Sequence, residues 1–160
     1  MSLVKPLIVP IDGRQSETAL RIARGTARLL YAHGCSVVSE LPLPSGRRAD
    51  LVGIAASGEV WIVEIKSSVA DFRADQKWPD YRAHCDRLFF ATCMEVPCEI
   101  FPPDTGLIVA DLFGAEFKCE APQHRLPAAT RKSMLLLVAR TAAMRLQALH
   151  DPSGPYELID

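Results

Sequence analysis

The chain alternates between two hydrophobic periods. Over residues 15–32, Ala19, Ile22, Ala23, Ala27, Leu30 and Tyr31 recur at helical spacing and predict a first helix. Ser16 stands where an N-cap belongs, and Gly34 where a C-terminal cap belongs. From residue 35 the period falls to two. "CSVVSEL" (35–41), closed by "PLPSG", predicts one strand, and "RADLVGI" (48–54) predicts a second. After the turn "AASG" (55–58), "EVWIVEIKSS" predicts a third. Asp71 is placed to cap a helix beginning "DFRADQKW", which Pro79 breaks or kinks. "RLFFATC" and "GLIVADL" read as short buried strands, and "AEFKCEA" as a sixth strand at an edge. Residues 128–149 predict the last helix. Its apolar positions Leu135, Leu136, Val138, Ala139, Ala142, Ala143, Leu146 and Leu149 fall mostly on one broad face.

The order is helix, three strands, helix, two or three strands, helix. Strand groups separated by helices imply a layered α/β sandwich around a mixed sheet. The 160 residues suffice for one domain with one core, residues 1–160, with 1–14 as an N-terminal arm. No signal-peptide pattern opens the chain, because Pro6, Pro10 and Asp12 interrupt any apolar run. Arg140 and Arg145 interrupt the best candidate for a membrane span. A cytoplasmic protein without membrane contact is expected. Five cysteines form no CxxC pair, which speaks against a zinc ribbon or a thioredoxin motif.

The third strand carries two charges, Glu64 and Lys66, in a run that otherwise suits burial. Burying charge needs compensation. If the turn is centred near Ser57, paired positions sum to about 114, which sets Asp50 opposite Glu64. Lys66, two residues on, shares their face. A preceding hairpin centred near Ser45 brings Glu40 beside Asp50. Three carboxylates and one lysine then meet at one end of the sheet. Like charges there repel. A divalent cation such as Mg²⁺ resolves the repulsion and frees Lys66 to act on a water or on a developing phosphorane charge. The bland alternative is a Glu64–Lys66 surface ion pair at a strand end, with Asp50 in a turn.

"RRAD" followed by "EIK" resembles the PD-(D/E)xK nuclease superfamily, in which an Asp begins one strand and (D/E)-x-K lies on the next. The usual Pro before the Asp is Ala49 here. The resemblance implies a restriction-endonuclease-like α/β/α sandwich, with a central mixed sheet flanked by helices. More closely, "LPLPSGRRADLVGI", "VWIVEIKSS", "KWPDYRAHCDRLFFA" and the basic last helix are similar to the MmcB-type bacterial DNA-repair family. That likeness spans almost the whole chain and implies a nuclease-like DNA-repair role without requiring cleavage. Carried over, Asp50 and Glu64 are ligands for Mg²⁺ or Mn²⁺, joined by the Ile65 backbone carbonyl, and Lys66 is the catalytic lysine. Glu17, the acidic residue of the first helix, is a further candidate ligand, and so is Glu40. First-turn dipole stabilisation accounts for Glu17 equally well. Gln76 and Tyr81 fall near a Q-x-x-x-Y pattern known from some members, one residue too far apart.

Net charge is −1, so any nucleic-acid contact must come from charge distribution. Residues 121–150 hold Arg125, Arg131, Lys132, Arg140 and Arg145 and no acid. Arg47 and Arg48 lie at the mouth of the proposed site, where guanidinium–phosphate contacts fit. Gln76, Lys77, Arg131 and Lys132 complete the DNA-contact set, against the alternative of ordinary solvated charges. Trp78 is a base-stacking candidate, though a core role is the commoner one. No sequence-reading motif occurs, so phosphate-mediated recognition of structured or damaged DNA is the expectation. The partners implied are DNA, other repair proteins and a second copy in a homodimer, in the cytoplasm at the nucleoid. A catalytically silent DNA- or partner-binding module of the same fold is the competing reading.

Overall fold

The computed structural model describes residues 16–156; the expected N-terminal arm lies outside the described residues. Helix α1 (Glu17–Ala32) leads into three antiparallel strands, β1 (Ser36–Pro42), β2 (Arg48–Ile54) and β3 (Val60–Ile65). A short helix α2 (Val69–Ala74) and a 3₁₀ segment (Trp78–His84) connect to β4 (Arg87–Cys93). Then come β5 (Gly106–Ala110), β6 (Ala115–Cys119) and α3 (Ala128–His150). The strands form one six-stranded sheet in sequential order. β3, β4 and β5 run parallel, and the other neighbours are antiparallel. This is the expected mixed sheet flanked by helices. Among the described residues no helix is long and apolar enough to cross a membrane.

Two apolar layers cover the two sheet faces. Ile22 and Leu30 of α1 join Leu51, Val63, Phe89 and Ile108 on one side. Met134 and Val138 of α3 join Val52, Val60, Ile62 and Leu88 on the other. Helix α1 starts as expected: Ser16 accepts the Ala19 N–H at 3.1 Å. It ends with Gly34 at φ +82°, a left-handed conformation that costs glycine little.

Two elements differ from the sequence reading. The helix after β3 is only six residues long, begins at Val69 and is capped by Ser68 rather than Asp71. Asp71 instead accepts the Ser67 N–H at 3.0 Å. Pro79 stands in the first turn of the separate 3₁₀ segment, where its missing N–H costs no hydrogen bond. The buried face of α3 is Met134, Val138 and Thr141, whereas Leu136 and Leu146 are more than half exposed. The helix is apolar on both sides, so composition alone could not choose its inner face.

Candidate functional site

The charged cluster forms where β2 and β3 part. Their ladder runs in the 114 register through Leu51–Val63. Beyond that rung side chains replace backbone rungs. Glu64 Oε1 accepts the Asp50 N–H at 3.1 Å, and Asp50 Oδ2 accepts the Ile65 N–H at 2.8 Å. Past the cluster, β3 follows β4, with the Lys66 N–H on the Ala91 carbonyl at 2.9 Å. Each carboxylate is thus fixed by one oxygen on the neighbouring strand. Glu64 is 3% exposed and Lys66 4%. The Asp50–Glu64 juxtaposition expected from turn geometry is present.

Burial is the main cause raising both acids. It lifts the Asp50 carboxyl, with Glu40 and Asp71 adding to it against the Ile65 N–H and Lys66. It lifts Glu64 well above the usual range, aided by the Asp50 charge. Two carboxylates held side by side in a dry place favour a shared proton or a bound cation. Among the described residues no group of three or more His, Cys, Asp or Glu is arranged to hold a metal. The donor set that fits is therefore a two-carboxylate one. That suits Mg²⁺, which commonly takes one or two protein carboxylates and keeps waters or phosphate oxygens for the rest.

Lys66 does not pair with Glu64. Its Nζ donates to Asp75 Oδ2 at 2.8 Å. Asp75 also accepts the Lys77 N–H at 2.9 Å. Burial opposes the Asp75 charge, but the Lys66 and Lys77 hydrogen bonds and the Lys66 charge outweigh it and hold the carboxyl low. Sequence reasoning missed Asp75. It lies nine residues from Lys66 across a helix end that the pattern did not resolve.

Glu40 occupies the expected register position beside Asp50. β1 pairs Ser39 with Leu51 and Leu41 with Ala49, so Glu40 faces Asp50 between those rungs. Its φ is +49°, an uncommon left-handed conformation for a side chain of this size. Arg145 of α3 donates to the Ser39 carbonyl and, at 2.7 Å, to the Glu40 carbonyl. The distortion is therefore clamped from the helix layer. Glu17 stands apart: it is largely exposed and pairs with Arg21 at 2.8 Å.

The proposed DNA contacts divide into three groups. Arg48 is about half exposed, with its guanidinium 3.9 Å from Glu40 Oε1. Arg47 sits nearby and pairs with Asp80 at 2.9 Å. Gln76 and Lys77 are exposed beyond α2; the Gln76 side-chain amide donates to the Arg73 carbonyl at 2.9 Å. Lys132 is exposed on α3. Arg131 is engaged otherwise. It grips fully buried Asp86 through two hydrogen bonds of 2.5 and 2.6 Å, and Asp86 also accepts the Val60 and Leu126 N–H groups. The structure thus supplies a structural partner for a cation in the first turn of a helix. Tyr81 is buried and donates to the Arg48 carbonyl at 3.1 Å, bracing the strand that carries Asp50. Trp78 packs edge-on against Phe90 with centroids 5.5 Å apart, a core role.

The sequence profile of the MmcB-like DNA repair protein family matches residues 8–153. The chain belongs to this family. It is 45% identical to SPO1766, a protein of unknown function from Silicibacter pomeroyi. That match covers 89% of this chain and 99% of the other, with a TM-score of 0.82. A repair endonuclease from Pyrococcus abyssi matches at 15% identity over 49% of this chain and 38% of its own, with a TM-score of 0.33. A search of curated proteins finds no match. Membership in the MmcB-like family covers every residue of the cluster described above.

Proposed function

We propose that this MmcB-like DNA-repair protein is a metal-dependent deoxyribonuclease acting on structured or damaged DNA. The observation that carries the reading is the Asp50–Glu64 pair: a half-buried and a buried carboxylate, each anchored by one oxygen, beside a buried lysine. A purely structural pair would more simply be neutral, since burying two like charges is costly. Asp50 and Glu64 would hold Mg²⁺ or Mn²⁺, with the Ile65 carbonyl as a further donor. When bound, such an ion polarises a phosphodiester and lowers the pKa of a water. The chain's own residues do the rest. Lys66, steered by Asp75, presents an ammonium to the phosphate or to the attacking water. Arg48 at the mouth, with Lys77 farther out, orients the DNA backbone. Tyr81 keeps the start of β2 in place. Its hydroxyl is held protonated, first by burial and then by the Glu64, Asp50 and Asp75 charges, so it serves as a donor rather than a base.

The test is a Mg²⁺- and Mn²⁺-supplemented assay on branched, nicked, single-stranded and damaged DNA. Cleavage of at least one substrate is expected, and Asp50→Ala or Lys66→Ala should abolish it with the circular dichroism spectrum unchanged. Cleavage that survives both substitutions would sink the assignment. Tight, salt-sensitive binding with no turnover would instead favour the silent binding module. The Lys66–Asp75 pair gives that second reading its own support, because an engaged lysine is compatible with a resting or non-catalytic cluster.

A further inference from the structure

The turn between β5 and β6 presents apolar side chains to water. Phe113 is 96% exposed, Leu112 77% and, on the segment after β4, Met94 74%. The turn is nonetheless held firmly. Asp111 Oδ1 accepts the Phe113 and Gly114 N–H groups at 2.7 and 2.9 Å, and the Asp111 N–H donates to the Gly114 carbonyl at 2.8 Å. Helix α1 presses against it at Gly25, where a Cβ would lie 3.3 Å from the Gly114 oxygen. A glycine here lets helix and turn approach without displacing either. Beside the turn is a depression of about 290 Å³ lined by Met94, Val109, Phe113, Asp111, Glu116 and Lys118.

Next to this tip α1 carries a basic stripe. Arg21, Arg24 and Arg28 are exposed and recur at helical spacing, and Tyr31 continues the line. Arg21 and Arg28 flank Gly25, the residue that touches the turn. The tip also lies at the same sheet end as the charged cluster. β3, β4 and β5 are parallel and level at Ile65, Ala91 and Ile108. Lys66 and Asp111 follow the same ends of strands two apart, about 10 Å laterally at the usual inter-strand spacing.

We propose that the 111–114 turn and the α1 stripe form a second nucleic-acid contact. In it, Phe113 stacks on an unpaired base of the strand held at the Asp50–Glu64 cluster, and Arg24 and Arg28 take the flanking phosphates. The inference rests on the DNA reading of that cluster. The chemistry of the depression favours a base over a phosphate. Phe113 and Met94 offer an apolar floor, the Lys118 charge is taken by Glu116 at 2.5 Å, and Asp111 can accept from an exocyclic amino group. The arginine stripe favours nucleic acid over an apolar protein segment, which would leave the Arg24 and Arg28 guanidinium groups unused. Aromatic stacking of this kind tolerates any sequence, as an absence of base-reading motifs requires.

The test is fluorescence anisotropy on three oligonucleotides: single-stranded, a duplex with a one-base bulge, and a fully paired duplex. A 2-aminopurine at the bulge reports stacking directly. Phe113→Ala should bind bulged and single-stranded DNA roughly tenfold more weakly, about 1.4 kcal/mol, with paired DNA unchanged. It should also lose the 2-aminopurine quenching, and Phe113→Trp should keep both. Equal affinity of wild type and Phe113→Ala for the bulged duplex overturns this inference alone. Failure of wild type to bind any DNA overturns the reading of the cluster as well. Self-association that depends on Phe113, with DNA affinity unaltered, assigns the tip to a second copy and overturns the base-stacking role.

Discussion

At the scale of single residues, buried charge carries the account in two places with opposite outcomes. Asp86 is buried but fully served by Arg131 and two backbone N–H groups, and its carboxyl is held low although burial opposes it. Removing one member leaves the other uncompensated. Arg131→Met should therefore lower unfolding stability by about 3–5 kcal/mol in denaturant titration. Its stabilising effect is present above the usual Asp range and fades as pH falls through the lowered value. Glu64 is the reverse case. Its folded pKa is raised, so the metal-free folded chain binds more protons than the unfolded chain. The contribution is full below the usual Glu range, about 4.3, and is lost as pH rises through the raised value. Metal-free wild type should lose stability as pH rises above the usual Glu range. Glu64→Gln should flatten that slope, and a slope unchanged in the variant would contradict the assignment. Arg131 also shows where sequence reading ends. Its partner lies 45 residues away, and a lone arginine at a helix start looks the same whether it meets a phosphate or a buried aspartate.

At the scale of elements, the parting of β2 and β3 makes the site. Two backbone N–H groups released from the ladder are taken by one oxygen each of Glu64 and Asp50. β1 contributes the distorted Glu40, clamped by Arg145. A left-handed position penalises β-branched side chains most and glycine least. Glu40→Val should therefore be at least about 1 kcal/mol less stable than Glu40→Gly by thermal unfolding. The hairpin registers were legible beforehand, because short turns fix pairing and a period of two leaves one face for each residue. The same arithmetic put Asp50 opposite Glu64. It did not foresee the six-residue α2 capped by Ser68, since Ser68 and Asp71 both make plausible caps. Nor did it find Asp75, whose meeting with Lys66 depends on where that helix stops. The inner face of α3 was illegible for a similar reason: leucines and alanines occur all around it, and only packing against Val52 and Ile62 selects Met134 and Val138.

At the scale of the whole molecule, a nearly neutral chain divides its charge by region. The cluster lies at one sheet end with Arg48 beside it, whereas Lys132 neighbours Arg131, which holds Gly58 and Asp86 at the other end. Affinity should fall steeply with salt, and Lys77→Ala should weaken all DNAs alike while reducing the log–log salt slope by about one. The proposed nuclease role requires the Asp50–Glu64 pair to bind a cation. Isothermal titration of the metal-free protein with Mn²⁺ at neutral pH tests it directly. One ion bound per chain, eliminated in Asp50→Asn, is the expected result. No binding, or binding that Asp50→Asn leaves intact, would contradict it.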